Sequence, residues 1–237
     1  MKRVVISQPM VFPWVGLFEQ IRLADDFVHY DDAALPQGRS FMTRVQIKTA
    51  QGTPWLTIPV HRGSGLIKDV LIDNDQDWQR RHLGTLRQAY ARAPFVHEML
   101  ELVESTYSRA FTRLAELNCF ATELIAAYLG LKPRFLLSSS LGAEGRGTEK
   151  LIVLCRELSA TVYVTGHGAR NYLDHDAFER EGIDVEYMQY EKKPYPQLHG
   201  EFTPFVSVLD LIANVGRSGK DWLRSGTCHW REFVHGS

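Results

Sequence analysis

Cysteine is scarce here. The 237 residues contain three, Cys119, Cys155 and Cys228, too far apart for a metal-ligand spacing and too few for a disulfide framework. They suit a reducing compartment with free, mostly buried thiols. Charge of one sign is also missing: 27 Lys and Arg face 28 Asp and Glu, and the net of -1 removes the bulk electrostatic case for a nucleic-acid partner. Val4, Val5 and Ile6 are too short an apolar core for a signal peptide, and no apolar run approaches the roughly 20 residues of a spanning helix. No repeat, no low-complexity segment and no GxxxxGK[ST] phosphate loop occurs. These absences predict a soluble, cytoplasmic protein without a membrane span. The hydrophobic content of 44% and aromatic content of 11% are those of a folded chain, and the length suits one domain over 1–237.

Periodicity organises that chain. Arg3 to Ser7 reads as a buried strand, Pro13 opens a helix through Leu17, Ile21 and Ala24, and Phe27 to Tyr30 reads as a second strand ending at Asp31-Asp32. A strand, a helix and a strand within about thirty residues seed a parallel sheet. A polar loop from Ala34 to Thr43 holds Pro36, Gly38 and Arg39. Val45-Gln46-Ile47 and Trp55-Leu56-Thr57-Ile58 alternate about Gln51-Gly52 as a hairpin, and Lys68 to Ile72 adds a further strand. Residues 76–130 read as a mainly helical insertion: Trp78, Leu83, Leu86 and Tyr90 mark one face of a helix that Pro94 ends, and one or two more run from Phe95 to a stop at Gly130. Strands at Phe135–Leu137, Val162–Thr165 and Asp184–Met188 then alternate with helices at 148–159 and 174–181, and a last helix spans about 205–215. The expected fold is α/β, a three-layer, mostly parallel, Rossmann-like sheet with a β-hairpin and a helical insertion.

Candidate chemistry clusters where strands run into helices, the edge at which open α/β sheets bind ligands. After the first strand, Gln8 offers an amide, Trp14 and Phe18 offer stacking faces, and Gly16 admits close approach to the backbone. The alternative is that the aromatics are core and Gly16 a packing glycine. Asp31 and Asp32 can hold Mg²⁺ or Mn²⁺ or bind a ribose hydroxyl, or they cap a turn. Arg44, Gln46 and Lys48 share one face of the hairpin, which with Arg39 suits phosphate or carboxylate if it faces a pocket, and is otherwise a solvated face. Ser138, Ser139 and Ser140, with Gly145 to Thr148 and Lys150, form a second glycine-rich strand-to-helix turn. Gly166, His167, Gly168, Arg170, Asn171 and Tyr172 leave a later strand, and His167 is the general base or acid favoured by position. Tyr195 and Gln197 lie near Phe202. Asp210 falls within an apolar helix, where a carboxylate is costly unless paired. Cys119 and Cys155 read as inward helix residues, and Cys228 as a tail thiol beside His229, none of them a nucleophile.

The chain resembles the WbqC-like protein family. The residues that carry the resemblance are Val4-Val5-Ile6-Ser7-Gln8-Pro9 with Phe12 to Phe18, Tyr30-Asp31-Asp32, Arg44 to Thr49, Gly147 to Ile152, Gly166-His167-Gly168-Ala169 with Tyr172-Leu173-Asp174, and Tyr195-Pro196-Gln197 with Phe202-Thr203-Pro204. Ala34-Leu35 departs from the Gln-Phe pair expected after the aspartates. The resemblance implies work on an unusual sugar of a bacterial surface polysaccharide (O-antigen). A fainter one links Pro13 to Leu17, and Gly168 to Leu173, to HIGH-type nucleotidyltransferases such as pantothenate synthetases. Trp14 and Leu17 stand where those enzymes place histidines, which weighs against adenylation from ATP. The leading expectation is a transferase adding an acyl or aminoacyl group to a nucleotide-activated amino sugar. In it Gly16, Arg44 and Lys48 hold an anion, Trp14 stacks, and His167 moves a proton. The alternatives are a glycosyltransferase using Asp31, Asp32 and a divalent metal, and a non-catalytic sugar-nucleotide binder. The expected partners are small molecules: a nucleotide sugar or ATP, and an acyl or aminoacyl donor.

Overall fold

The computed structural model describes residues 1–36, 41–61 and 65–235. Strand β1 (Arg3–Ser7) lies inside a six-stranded sheet and passes through α1 (Val15–Leu23) to β2 (Asp26–His29). The chain then leaves the sheet for two short antiparallel pairs, β3 (Arg44–Gln46) with β4 (Trp55–Thr57), and β5 (Val60–His61) with β6 (Leu71–Ile72). Helices α2 (Trp78–Ala89), α3 (Val96–Tyr107) and α4 (Leu114–Tyr128) follow before it returns at β7 (Arg134–Leu137). The second half runs α5 (Gly147–Glu157), β8 (Val162–Thr165), α6 (His175–Arg180), β9 (Asp184–Gln189), α7 (Val208–Val215), β10 (Gly226–His229) and α8 (Trp230–His235).

The strand order is β10-β9-β8-β1-β2-β7, parallel throughout except for β10 at the edge. The chain therefore winds outward from β1 in one direction through β2 and β7, then returns to the other side of β1 for β8 and β9. Alternation along the strands makes two cores, because successive side chains point to opposite faces. Val5, Phe27, Val162 and Val164 join the core under α1 to α4 and α7, while Val4, Ile6, Val28, Tyr163, Val185 and Tyr187 join the one under α5 and α6. That is the three-layer, mostly parallel arrangement the periodicity predicts.

Local rules place several boundaries. Gly130, with φ of +75°, ends α4, and its N–H bonds Ala127 O at 3.0 Å while Leu131 N–H bonds Ala126 O at 2.8 Å, the paired closure of a glycine-capped helix. Asp174 caps α6 by accepting from Ala177 N at 2.9 Å. At the start of β2 Asp26 accepts from Arg134 Nε and Nη2, at 2.8 and 2.7 Å, and from Lys2 Nζ at 2.9 Å, locking β7 and the amino terminus together.

Four expectations need correction. Lys68 to Ile72 is a 3-10 turn (Ile67–Asp69) followed by the two-residue strand β6. The helix from Trp78 stops at Ala89, where Tyr90 leaves helical geometry as its C-cap (φ -108°, ψ 17°), so Pro94 is not what ends it. The last apolar helix begins at Val208, three residues later than read, where Ser207 Oγ caps it by accepting from Leu209 N at 3.2 Å. The final strand β10 and helix α8 were not anticipated. Gly38 and Arg39 lie outside the described residues.

Candidate functional site

An open parallel sheet leaves a gap where neighbouring connections depart to opposite faces, and ligands bind there beyond the strand ends. In this sheet that point lies between β1 and β8. A crevice of about 640 Å³ sits on it, lined by Ser7 and Gln8 after β1, Tyr30 after β2, Thr165 and Gly166 at the end of β8, and Gln20 from α1. Gly147, Leu151, Tyr163 and Tyr172 close the side toward α5, and Met10, Phe41 and Met42 the opposite wall. The volume falls within the roughly 300–1,000 Å³ usual for small-ligand sites.

Among the described residues the lining contains no Asp, Glu, Lys, Arg or His. It presents hydroxyls from Ser7, Tyr30, Tyr163, Thr165 and Tyr172 and amides from Gln8 and Gln20. Such groups both donate and accept, and suit an uncharged, hydroxyl-rich or heterocyclic ligand. Burial, with Asp32 and Tyr172 beside it, pushes the Tyr30 phenol above its ordinary value, so it stays a protonated donor at neutral pH. Buried Asn118 on α4 positions the wall by donating to Met42 O at 2.9 Å and Pro9 O at 3.3 Å.

Of the residues singled out in the sequence, Gln8, Gly147, Gly166, Gly168 and Tyr172 line this crevice. Asp31 and Asp32 lie behind Tyr30 with partners already in place. Asp31 accepts from Ser139 N at 3.0 Å, Ser139 Oγ at 2.6 Å and Ser138 Oγ at 3.0 Å. Asp32 accepts from Ser138 Oγ at 2.6 Å and Lys150 Nζ at 2.6 Å. A divalent cation there would have to displace an ammonium, and among the described residues no three His, Cys, Asp or Glu side chains gather as a metal-binding set. The donor set therefore does not fit a metal centre.

Lys48, Tyr195 and Gln197 meet elsewhere, around buried Asp210. His167 is exposed at the crevice rim and is not among its lining residues. Its Nε2 lies 2.9 Å from Met188 O and its ring 4.7 Å from that of Phe233, while Arg170 donates to Val234 O at 3.0 Å. Helix α8 thus holds the rim turn from behind. Asn171 is exposed on the same turn. Phe18 is core, with no exposed surface. Cys119 and Cys155 are buried, and burial pushes the Cys155 thiol up to about 12, so neither supplies a thiolate at neutral pH.

Gly16 serves Trp14 rather than a ligand. A Cβ at Gly16 would lie 2.2 Å from the Trp14 ring, which packs edge-on against Tyr190 with centroids 4.9 Å apart. Gly16→Ala is expected to destabilise the fold by about 1–3 kcal/mol through overpacking, and Trp14→Leu in the same chain should remove most of that penalty. Urea unfolding of the two single variants and the double one measures the coupling. Strict additivity would show that the ring does not require the glycine.

Sequence inspection missed Gln20 and Phe41 as lining residues, and it gave no ligand role to Met10, Tyr30 and Thr165, although each falls in a stretch it singled out. Gln20 had a usable signal, since it is a neutral amide on a helix whose neighbours Leu17, Phe18 and Ile21 are all core. Together these features define a doubly wound α/β protein with a crevice at its topological switch point.

Comparison with known sequences gives that class a family. The model of the WbqC-like protein family matches residues 8–221, and the chain belongs to that family. It is similar to Uncharacterized protein Rv1507c of Mycobacterium tuberculosis (strain ATCC 25618 / H37Rv), 37% identical over 229 residues that cover 94% of this chain and 98% of that protein. No solved structure gives a significant match.

Proposed function

We propose that the crevice binds a nucleotide-activated amino sugar and that the protein transfers an acyl or aminoacyl group to it, within bacterial surface-polysaccharide chemistry. The observation that carries this reading is the lining of hydroxyls and amides at the switch point, without a charged side chain among the described residues and with Gly147 and Gly166 on its walls. Neutral donors and acceptors match sugar hydroxyls and a base, and the glycines allow backbone contact. In the transfer, the sugar amine attacks the acyl carbonyl, the new C–N bond forms, the bond to the donor's leaving group breaks, and the amine loses a proton. The protonated Tyr30 hydroxyl suits donation to the developing oxyanion.

The experiment is a thermal-shift panel of nucleotide sugars, ATP and acyl donors, each with and without Mg²⁺ or Mn²⁺. A ligand at 100 times its Kd stabilises by about 2.7 kcal/mol. Equal stabilisation by a nucleotide sugar with and without metal is expected. Stabilisation that disappears with chelator would favour a metal-dependent glycosyltransferase instead, and a flat panel would overturn both.

A further inference from the structure

Two carboxamides of the crevice stand unspent. Gln8 follows β1, Gln20 sits on α1, and both line the crevice half-buried. Neither side chain has a hydrogen-bond partner among the described residues, and neither has a polar atom sealed off from open space. Other enclosed amides are used within the protein: Asn118 on the Met42 carbonyl, Gln197 on Tyr195 and Thr203, Asn214 on the Asp210 carbonyl. Enclosed polar groups are normally paired, so two that face one crevice unpaired are candidates to meet a ligand.

The two lie close together. Strands β1 and β8 pair in parallel with Val5 opposite Val164, and that register carried to the strand ends brings the chain after Ser7 alongside Gly166. Gln20 Nε2 fills the room a side chain at Gly166 would need, 2.9 Å from where its Cβ would stand. Gly166 thereby seats the Gln20 amide beside the segment that carries Gln8.

A carboxamide presents a donor and an acceptor side by side in one plane, the pattern with which amides read the edges of bases at two points. A single sugar hydroxyl would engage only part of it. Phe41 and Tyr172, 54% and 62% exposed, line the same crevice and offer faces for a flat ring. Arg44 lies outside the lining, its guanidinium 4.0 Å over the Trp55 ring, so charge does not select this part of the ligand. The phenol hydroxyls of Tyr30 and Tyr172 donate more readily than they accept, which favours an edge rich in acceptors. Uracil carries a ring N–H between two carbonyls, whereas adenine places an amino donor on the corresponding edge.

We propose that Gln8 and Gln20 are specificity residues, a carboxamide pair that reads the carbonyl, N–H, carbonyl edge of a uracil-type base. This rests on the nucleotide-sugar reading and names the base. The test titrates uridine, N3-methyluridine and adenosine into nitrogen-15-labelled protein and follows the Gly166 amide. Wild type is expected to bind uridine at least about tenfold more tightly than N3-methyluridine, which lacks the ring N–H, or adenosine. In Gln8→Met/Gln20→Met, uridine affinity should fall about tenfold to hundredfold and the preference over N3-methyluridine should vanish. The urea midpoint should stay near wild type, since neither amide holds another part of the protein.

Equal binding of uridine and N3-methyluridine by wild type overturns the pair, and no folding defect enters that comparison. A preference that survives in the double variant overturns it as well. Uridine diphosphate bound without discrimination against the N3-methyl form, or adenosine preferred, overturns the pair and keeps the nucleotide reading. No response to any nucleoside or nucleoside diphosphate overturns both.

Discussion

Asp210→Leu is expected to lower the stability of the protein by about 3–5 kcal/mol, the cost of removing one partner from a buried charged network. Asp210 is fully buried in the first turn of α7 and accepts from Tyr90 OH at 2.9 Å and Tyr195 OH at 2.8 Å. Gln197 Nε2 donates to Tyr195 OH at 2.9 Å, and Lys48 Nζ donates to Gln197 Oε1 at 3.0 Å and to the Glu201 carbonyl. One carboxylate therefore gathers α2, the hairpin, the 195–203 segment and α7. Leucine fills similar space but strands two phenols and leaves Lys48 without its counter-charge. Urea unfolding measures the loss, and an unchanged midpoint would refute the network's role.

The same carboxyl predicts a pH dependence. Burial raises its pKa above 3.8, and hydrogen bonds from Tyr195, Tyr90 and Gln197, with the Lys48 charge, offset only part of that rise. A raised pKa means the folded state holds the proton more tightly than the unfolded one. The resulting stabilisation is complete below the unfolded value and is lost as pH rises through the folded one. The stability of wild type relative to Asp210→Asn should therefore fall as pH is raised from about 4 through that upper value. A difference that stays flat across that window would show that Asp210 is not the linked group.

That network also shows where sequence reasoning reached and where it stopped. The parallel strands, the helices between them and the hairpin were legible because each rests on local periodicity or a turn residue. Lys48 was not, because the alternation that groups it with Arg44 holds only along an extended strand, and β3 ends at Gln46. Past that point the chain turns Lys48 into the interior, where it is 5% exposed. His167 sits after its strand as read, but its surroundings depend on Phe233, and nothing local announces a contact made from so far along the chain. Strand β10 escaped because Gly226-Thr227-Cys228-His229 has no alternation, being held by edge pairing with β9. The strand-to-helix turns marked the edge of the sheet where the crevice lies, but the strand order that puts the switch point between β1 and β8, and the side chains that reach it, depended on long-range pairing and the path of the loops.

Lys150→Met is the other large loss expected, about 3 kcal/mol, because it leaves Asp32 charged and nearly enclosed. The side chains of Lys150 and Asp32 are 10% and 14% exposed, and their 2.6 Å contact has little water to replace it. Asp32→Asn in the Lys150→Met background should recover more than 1 kcal/mol, since it removes the charge that lost its partner. The cycle also bears on chemistry. With the ammonium in place, Mg²⁺ should leave the wild-type unfolding midpoint unchanged. Without it, Asp32 loses its counter-charge while Asp31 keeps its serine partners, so Mg²⁺ should stabilise Lys150→Met by taking the place of the ammonium at Asp32. Mg²⁺ stabilising wild type instead would make the aspartates a metal site and turn the function toward glycosyl transfer. Lys150 Nζ also lies 5.5 Å from the centroid of the Tyr30 ring, which forms part of the crevice. A loss of ligand affinity larger than the stability cost explains would place this ion pair in support of Tyr30, linking the cluster behind the crevice to the chemistry within it.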